Sequence, residues 1–397
     1  MNEMHPAEEI FCEKSNKLRG KTIVIGITGS IAATECFSTI RELIRHGAKV
    51  IPVMTPEAQR MITPLSIEYA AGQKPITEIT GQTEHVQLFD GGIADAYLIY
   101  PSTANTISKI ACGIDDTPVT TMATLALGAG IPVAIAPAMH QSMCENPAVK
   151  ENIKKLKKWG VSFIGPNIKN NRAHVAGKDE IVAWVFRLTS KDDLSSKKIL
   201  IIGGRSEEPI DSMRIITNRS TGLMALRLAE RAFTRGSDVE LWMGGASVAL
   251  PDYLKTKRFE TVEELCKMVE TIDHDIVIVP AALADFAPEH IESGKIPSDI
   301  QFDVSLRPVQ KVLPLIRKKC DVVIGFKAEA GLSRNDLIAK ARSRLEAYDL
   351  SAVVANDIDV AGKSSTTVIL VTKNRETDIS GKKTKVSDAI LDYCIDL

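Results

Sequence analysis

The sequence predicts two open, doubly wound α/β domains in tandem, and three observations carry that prediction. At 397 residues the chain is too long for one ordinary core and of a length that divides into two domains. Twice it begins again in the same way, with basic residues, an apolar run and a glycine-containing turn: KTIVIGITGSIAA from Lys21 and KKILIIGGRSEEPID from Lys197. After each start, short apolar runs alternate with helical patterns, the grammar of parallel strands joined by crossover helices.

In the first half, strands are expected at residues 22–27, 48–54, 96–100, 131–136 and 162–164, separated by helical patterns such as ATECFSTIRELIRHG and NTISKIACG. The second half repeats this at 199–203, 238–243, 276–279, 322–326, 352–355 and 367–371, with the helix LMALRLAERAFTRG after its first strand. Between them RLTSKDDLSSKK is polar and charged without apolar periodicity, as a linker should be. The expected division is an N-terminal extension at 1–20, a first domain at 21–188, a linker at 189–197 and a second domain at 198–397. No low-complexity tract or short repeat appears, so the doubling is one of architecture.

Composition narrows the function classes. With 44% hydrophobic and 25% charged residues the chain is globular. Lys+Arg 49 against Asp+Glu 50 gives no net pull toward nucleic acid or membrane, so an anionic substrate must be met locally. The seven cysteines are scattered and form no CxxC pair, which suggests neither a disulfide framework nor a zinc site. The first residues are acidic and polar where a secretion signal is basic and then apolar, and no apolar run reaches about 18 residues. A soluble, cytoplasmic protein is expected.

Chemistry-bearing residues fall where expected strands end. Gly26, Gly29 and Ser30, in GITGSIA, lie between a strand and a helix. There, missing side chains let backbone N–H groups and a hydroxyl approach a phosphate. The pattern is not the dinucleotide GxGxxG, and a tight turn without ligand is the alternative. Ser102, Thr103, Asn105 and Thr106 follow the strand AYLIY, at the sheet edge where open α/β folds bind ligands. N-capping is their other role. A third cluster, APAMHQSMCENP, combines Pro137, Met139, His140 and Met143 at the end of the strand IPVAIA. Alone, His85 in GQTEHVQ reads as a surface residue.

In combination, GITGSIAA, EHVQL, PSTANTISKIACGIDD and PAMHQSM follow the order and spacing of the flavin-dependent cysteine decarboxylases. The first half, over about residues 21–184, resembles phosphopantothenoylcysteine decarboxylase. The resemblance implies a flavodoxin-like domain in which Gly29, Ser30 and Ile31 of the GSIA turn, with Ser102, Thr103, Asn105 and Thr106, hold FMN. It implies that His85, in an HxxL motif, is catalytic and that His140 and Met143 face the substrate. The implied reaction needs an electron sink, because an unactivated carboxylate does not simply depart: a flavin oxidises the substrate thiol to a thioaldehyde, and loss of carbon dioxide gives an ene-thiol. A histidine suits the accompanying proton transfers.

Two departures from the family stand out. Its PAMN motif carries an Asn that binds the substrate carboxylate, and here His140 takes that place; an imidazole can still donate a hydrogen bond, and in its protonated form pair with a carboxylate. The family's mobile flap carries an active cysteine, and the corresponding NNRAHVAGKDE has none. Cys144 and Cys112 are the nearest candidates to replace it, although a free cysteine is more often a small buried hydrophobe.

In the second half, GGRSEEPIDSMRIITNRSTGLMA carries Arg214 and Asn218 to a polar helix start, and PAALADFAPEHIESGKIP places Asp285 and Lys295 ten residues apart in a loop. Lysine in such a loop is ordinarily solvated. With VIGFKAEA and VVANDI, these segments resemble phosphopantothenate-cysteine ligase over about residues 198–373, a second Rossmann-like domain. The resemblance implies that Asn218 contacts an acyl-nucleotide intermediate, with Arg214 beside it. It implies that Asp285, Lys295, Phe326 and Arg344 belong to the nucleotide site, Lys295 stabilising phosphate charge with Mg2+. CTP is favoured over ATP as cosubstrate, because bacterial relatives use it. Where the family has a lysine pair, this chain has Arg344 and Tyr348.

The two halves would then carry out consecutive steps of coenzyme A biosynthesis on 4'-phosphopantothenate and cysteine. Relatives build flavin sites within trimers and pair ligase domains as dimers, which implies a homo-oligomer. Two other readings keep the flavin fold: a regulatory subunit that binds a phosphatase, usually marked by an acidic tail absent here, and a flavoenzyme that acts on peptidyl cysteines or prenylates flavin. Neither has a use for a complete ligase half.

Overall fold

The computed structural model describes residues 5–169, 172–297, 299, 301–357, 365–395 and 397. The chain divides into two compact units, Met1–Ser190 and Lys191–Leu397.

The first unit is built on β1 (Thr22–Ile27), β2 (Lys49–Met54), β3 (Ala96–Ser102), β4 (Val133–Pro137) and β5 (Ser162–Phe163), in the order β2-β1-β3-β4-β5 with every pair parallel. All six residues of β1 are buried, which is why these strands read as continuous apolar runs: helices cover both faces. Ile23, Ile25 and Ile27 meet the helices Cys36–Arg45 and Lys178–Thr189, while Val24 packs toward Ala104–Cys112 and Pro118–Gly128. Gly26 serves this packing rather than a phosphate. A Cβ there would lie 2.5 Å from the Tyr97 hydroxyl, which donates to the Val119 carbonyl at 2.8 Å. Residues 6–18 also join this unit, with Ala7 and Leu18 buried in its core. A short hairpin, β6 (Asn167–Lys169) and β7 (Arg172–His174), occupies the flap stretch, whose residues 170 and 171 lie outside the described residues.

The strands of the second unit are β8 (Lys198–Gly203), β9 (Glu207–Pro209), β10 (Ile215–Thr217), β11 (Asp238–Met243), β12 (Lys255–Arg258), β13 (Ile276–Val279), β14 (Phe286–Pro288), β15 (Leu306–Pro308), β16 (Val322–Glu329), β17 (Ala352–Asp357), β18 (Ser365–Thr372) and β19 (Glu376–Lys382). Eight of them form one sheet in the order β12-β11-β8-β13-β16-β17-β18-β19. It is parallel as far as β17, after which β18 and β19 pair antiparallel. Only Lys373, Asn374 and Arg375 separate those two strands, a hairpin too short for a parallel crossover. β9–β10 and β14–β15 are separate antiparallel pairs. The segment 191–197 folds onto this unit: Leu194 is buried and Asp193 accepts from Nε and Nη2 of Arg235, both at 2.9 Å.

The two restarts in the sequence share one device. Asp95, just before β3, accepts from Thr22 N at 2.8 Å, and Asp275, just before β13, accepts from Lys198 N at 2.7 Å. Each aspartate thereby pins the amino end of its unit's first strand. Among the described residues no helix is long and apolar enough to cross a membrane.

Candidate active sites

In the first unit the chain reverses its direction of winding between β1 and β3, and ligands of such sheets bind outside the carboxyl ends at that point. The polar turns converge there. Thr28 donates to the Pro101 carbonyl at 2.8 Å and accepts from Thr103 N at 3.1 Å, clipping the turn after β1 to the turn after β3. Thr55 N, after β2, donates to Ile27 O at 3.0 Å, and Ala138 N, after β4, to Ser102 O at 2.8 Å.

Within this crevice some hydroxyls cap helix starts and one has no partner. Thr103 caps the helix Ala104–Cys112, accepting from Thr106 N at 3.3 Å and pairing with the Thr106 hydroxyl at 3.2 Å. Ser30 caps the short turn Ile31–Glu35. Ser102 does neither: it is fully buried and its hydroxyl has no partner. A buried hydroxyl without a partner calls for one. Gly29 packs so closely on the chain after β2 that a Cβ would lie 2.4 Å from that of Glu57. Asn105 and Ile31 are exposed beside them. A buried free hydroxyl, capped helix starts and a side-chain-free turn fit a phosphorylated, hydroxyl-rich group such as FMN.

His140 opens the short helix Gln141–Cys144 without capping it and is exposed, as is Met143. His85 is the second residue of the helix Glu84–Phe89, anchored by buried Leu88 and Phe89, and its Nδ1 is buried without a hydrogen-bond partner. Burial, and then Glu145, push the Cys144 thiol up, which keeps it from the thiolate form that a reagent needs.

In the second unit, a strap that includes β9 and β10 is bound to the loop after β13. Ser206 accepts from Ala284 N at 2.9 Å, Thr217 donates to Ser206 O at 2.7 Å, and Asn218 Nδ2 donates to the carbonyls of Ala282 and Leu283 at 3.2 and 2.9 Å. Arg214 bonds to Asp211 and to the Ile296 carbonyl. Lys295 is exposed and lines a cleft of about 480 Å³ with His290, Glu292 and Asp303. Asp285 is exposed and paired with Lys311; it precedes β14 while Lys295 follows it, so the two do not share the single loop expected from the sequence. Phe326 follows Gly325, which pairs with the last residue of β13, and so lies at the carboxyl side of the sheet.

Arg344 is carried by a separate element. It lies in the last turn of the helix Arg334–Ala347, which leaves the carboxyl end of β16 and returns to the start of β17. At 1.5 Å per residue, ten residues carry it about 15 Å back along the helix axis. Its guanidinium instead sits 5.9 Å from the Tyr348 ring centre. Thr28, Ser206 and Asp211 are the residues that sequence reasoning missed; a lone Thr, Ser or Asp in a turn carries no signal of a partner 70 or more positions away. Among the described residues no group of three or more His, Cys, Asp or Glu side chains could hold a metal ion.

Comparison with known proteins bears on both units. Residues 12–190 match the Flavoprotein family, and residues 194–397 match the DNA/pantothenate metabolism flavoprotein C-terminal domain. The chain is 44% identical over 377 residues to the coenzyme A biosynthesis bifunctional protein CoaBC of Thermococcus kodakarensis, covering 93% of each. It is 37% identical over 397 residues to that of Methanocaldococcus jannaschii, covering 98% of this chain and 97% of the relative. The Bacillus subtilis protein is 32% identical over 367 residues, with 87% and 88% covered. With both halves matched in order and nearly end to end, the chain belongs to the family of coenzyme A biosynthesis bifunctional proteins CoaBC.

Proposed function

We propose that the second unit joins 4'-phosphopantothenate to cysteine and that the first decarboxylates the product, 4'-phospho-N-pantothenoylcysteine, to 4'-phosphopantetheine. The observation that carries this reading is the presence in one chain of both family halves, each with a polar cluster at the carboxyl edge of its sheet.

In the ligase step the carboxylate of 4'-phosphopantothenate attacks the α-phosphate of a nucleoside triphosphate, and pyrophosphate leaves. The amine of cysteine then attacks the acyl carbon, and the nucleoside monophosphate leaves. CTP is the favoured nucleotide, with ATP the alternative. Lys295 stabilises the phosphate charge that develops, Mg2+ on the phosphates shields the rest, and Asn218 and Phe326 line the intermediate. Asp285 serves the nucleotide once released from Lys311.

In the decarboxylase step Gly29, Ser30, Ile31, Ser102, Thr103, Asn105 and Thr106 hold FMN, which supplies the electron sink that the departing carboxylate requires. The free hydroxyl of Ser102 donates to the bound group. His85, whose Nδ1 is uncommitted, moves the proton of the substrate thiol. His140 donates a hydrogen bond to the substrate carboxylate, with Met143 against the substrate chain. Trimers of the first unit, dimers of the second and a cytoplasmic location belong to the same proposal.

Each half can be tested separately. Supplied with 4'-phospho-N-pantothenoylcysteine alone, the flavin-loaded protein should release carbon dioxide. Supplied with 4'-phosphopantothenate, nucleotide and Mg2+ without cysteine, it should release pyrophosphate in about one equivalent. Absence of either removes that half of the reading.

A further inference from the structure

The turn between β9 and β10 and the loop that carries Lys295 meet at one buried carboxylate. The Asp211 side chain has no exposure, and four donors converge on it: Met213 N and Arg214 N at 2.7 Å each, Arg214 Nη1 at 2.5 Å and Ile296 N at 3.1 Å. The Ile296 carbonyl accepts in turn from Nη1 and Nη2 of Arg214 at 3.1 and 3.2 Å. The residue after Lys295 is therefore gripped at its N–H by Asp211 and at its C=O by Arg214. On the other side of Lys295, Ser212 N donates to Gly294 O at 3.3 Å, and Glu292 N donates to Ile210 O at 3.0 Å.

The carboxylate is ionised throughout the neutral range. Burial alone would raise its pKa, but the hydrogen bonds from Met213, Ile296 and Arg214 outweigh burial and hold it at about 2. The arrangement also commits Arg214: its bonds run to Asp211 and Ile296, which makes it part of the clamp rather than a first contact for substrate.

We propose that Asp211 is a positioning residue of the ligase reaction, ordering Arg214 and Ile296 so that Lys295 meets the nucleotide phosphates from a loop fixed at both its neighbours. The proposal rests on the ligase reading of the second unit. Asparagine at this position would keep the shape but set an NH2 group against the Ile296 N–H or the guanidinium, releasing the loop. Misplacement of a reacting group by about 1 Å costs about 100-fold in rate.

The test uses the full chain with 4'-phosphopantothenate, cysteine, nucleotide and Mg2+, and checks decarboxylation of supplied 4'-phospho-N-pantothenoylcysteine in the same preparation. Asp211→Asn is expected to lower the ligation kcat about 100-fold while nucleotide KM stays within about threefold and decarboxylation holds. In a Lys295→Ala background the same substitution is expected to cost less than about threefold more, because it acts through Lys295. A merely structural residue would cost the same in both backgrounds. Ligation by Asp211→Asn at the wild-type rate, a loss confined to KM, or an equal loss in the Lys295→Ala background overturns the proposal and leaves the ligase reading standing. Failure of the wild-type chain to ligate overturns that reading and the proposal with it. If Asp211→Asn does not fold, Arg214→Lys takes its place in the same cycle, since one ammonium cannot hold both Asp211 and the Ile296 carbonyl.

Discussion

Gly29→Ala probes the crevice of the first unit without removing a polar group. Gly29 is not in the left-handed region, so its constraint is space alone. An added Cβ would lie 2.4 Å from the Glu57 Cβ, 3.3 Å from its carbonyl carbon and 3.5 Å from its Cα. None of these atoms can swing aside, because a Cβ moves only with its backbone. To restore even 3.0 Å, the turn after β1 and the start of the helix Pro56–Gln59 must separate by about 0.6 Å. Overpacking of this kind costs about 1–3 kcal/mol. If the displaced turn is the one that holds the flavin phosphate, FMN binding weakens about 5- to 100-fold, at about 1.4 kcal/mol per tenfold. Titration of flavin-free protein, followed by quenching of flavin fluorescence, measures this directly, with riboflavin as the comparison that lacks a phosphate. A larger loss for FMN than for riboflavin is the expected result. Wild-type affinity for FMN in a variant of unchanged Tm would refute the reasoning.

Three further outcomes are expected. His85→Asn should retain the flavin absorption spectrum while decarboxylation of supplied 4'-phospho-N-pantothenoylcysteine falls about 100-fold or more; retained turnover would free His85 of its assigned role. Asn218→Ala removes the amide bonded to the Ala282 and Leu283 carbonyls and should slow ligation by about tenfold or more with decarboxylation untouched. Asp211 has a folded pKa of about 2 against an ordinary value of about 3.9. A depressed carboxyl contributes stability that is present above the ordinary value and lost as the pH falls through the folded one. The Tm gap between wild type and Asp211→Asn should therefore be constant above about pH 5 and close toward about pH 2; a gap that does not change with pH would contradict the ionised clamp.

Much of the fold is legible in the sequence because both sheets are mostly parallel. β1 and β13 are buried along their whole length, and they occupy the expected residues because strands covered on both faces leave no alternation to misread. The small pairs β9–β10 and β14–β15 escape notice because three-residue strands that bury few side chains carry no period. The antiparallel turn of β18 and β19 depends on a three-residue connection rather than on composition. Residues 6–18 fall in the stretch read as an N-terminal extension, yet Ala7 and Leu18 are core residues and Ile10 packs against that core, since a few apolar side chains in a polar stretch carry no period.

The site was legible where it follows strand ends and illegible where it depends on distant partners. Ser102 and Thr103 announce themselves as hydroxyls after an apolar strand, but only the fold tells the cap, Thr103, from the free hydroxyl, Ser102. Thr28 reaches residues more than 70 positions away, and Asp211 one 85 positions away, separations at which a single polar residue has no pattern. Arg344 is named from the position of the family's lysine pair alone, and it stands in the last turn of the helix Arg334–Ala347.

The measurement that tests the central claim most directly is reconstitution of the whole sequence of reactions. The purified flavin-loaded protein is incubated with 4'-phosphopantothenate, cysteine, Mg2+ and either CTP or ATP, and the products are identified by mass spectrometry. The account predicts 4'-phosphopantetheine, formed through 4'-phospho-N-pantothenoylcysteine and faster with CTP. Accumulation of 4'-phospho-N-pantothenoylcysteine without its decarboxylation would contradict the roles given to His85 and His140, and absence of both products would contradict the account as a whole.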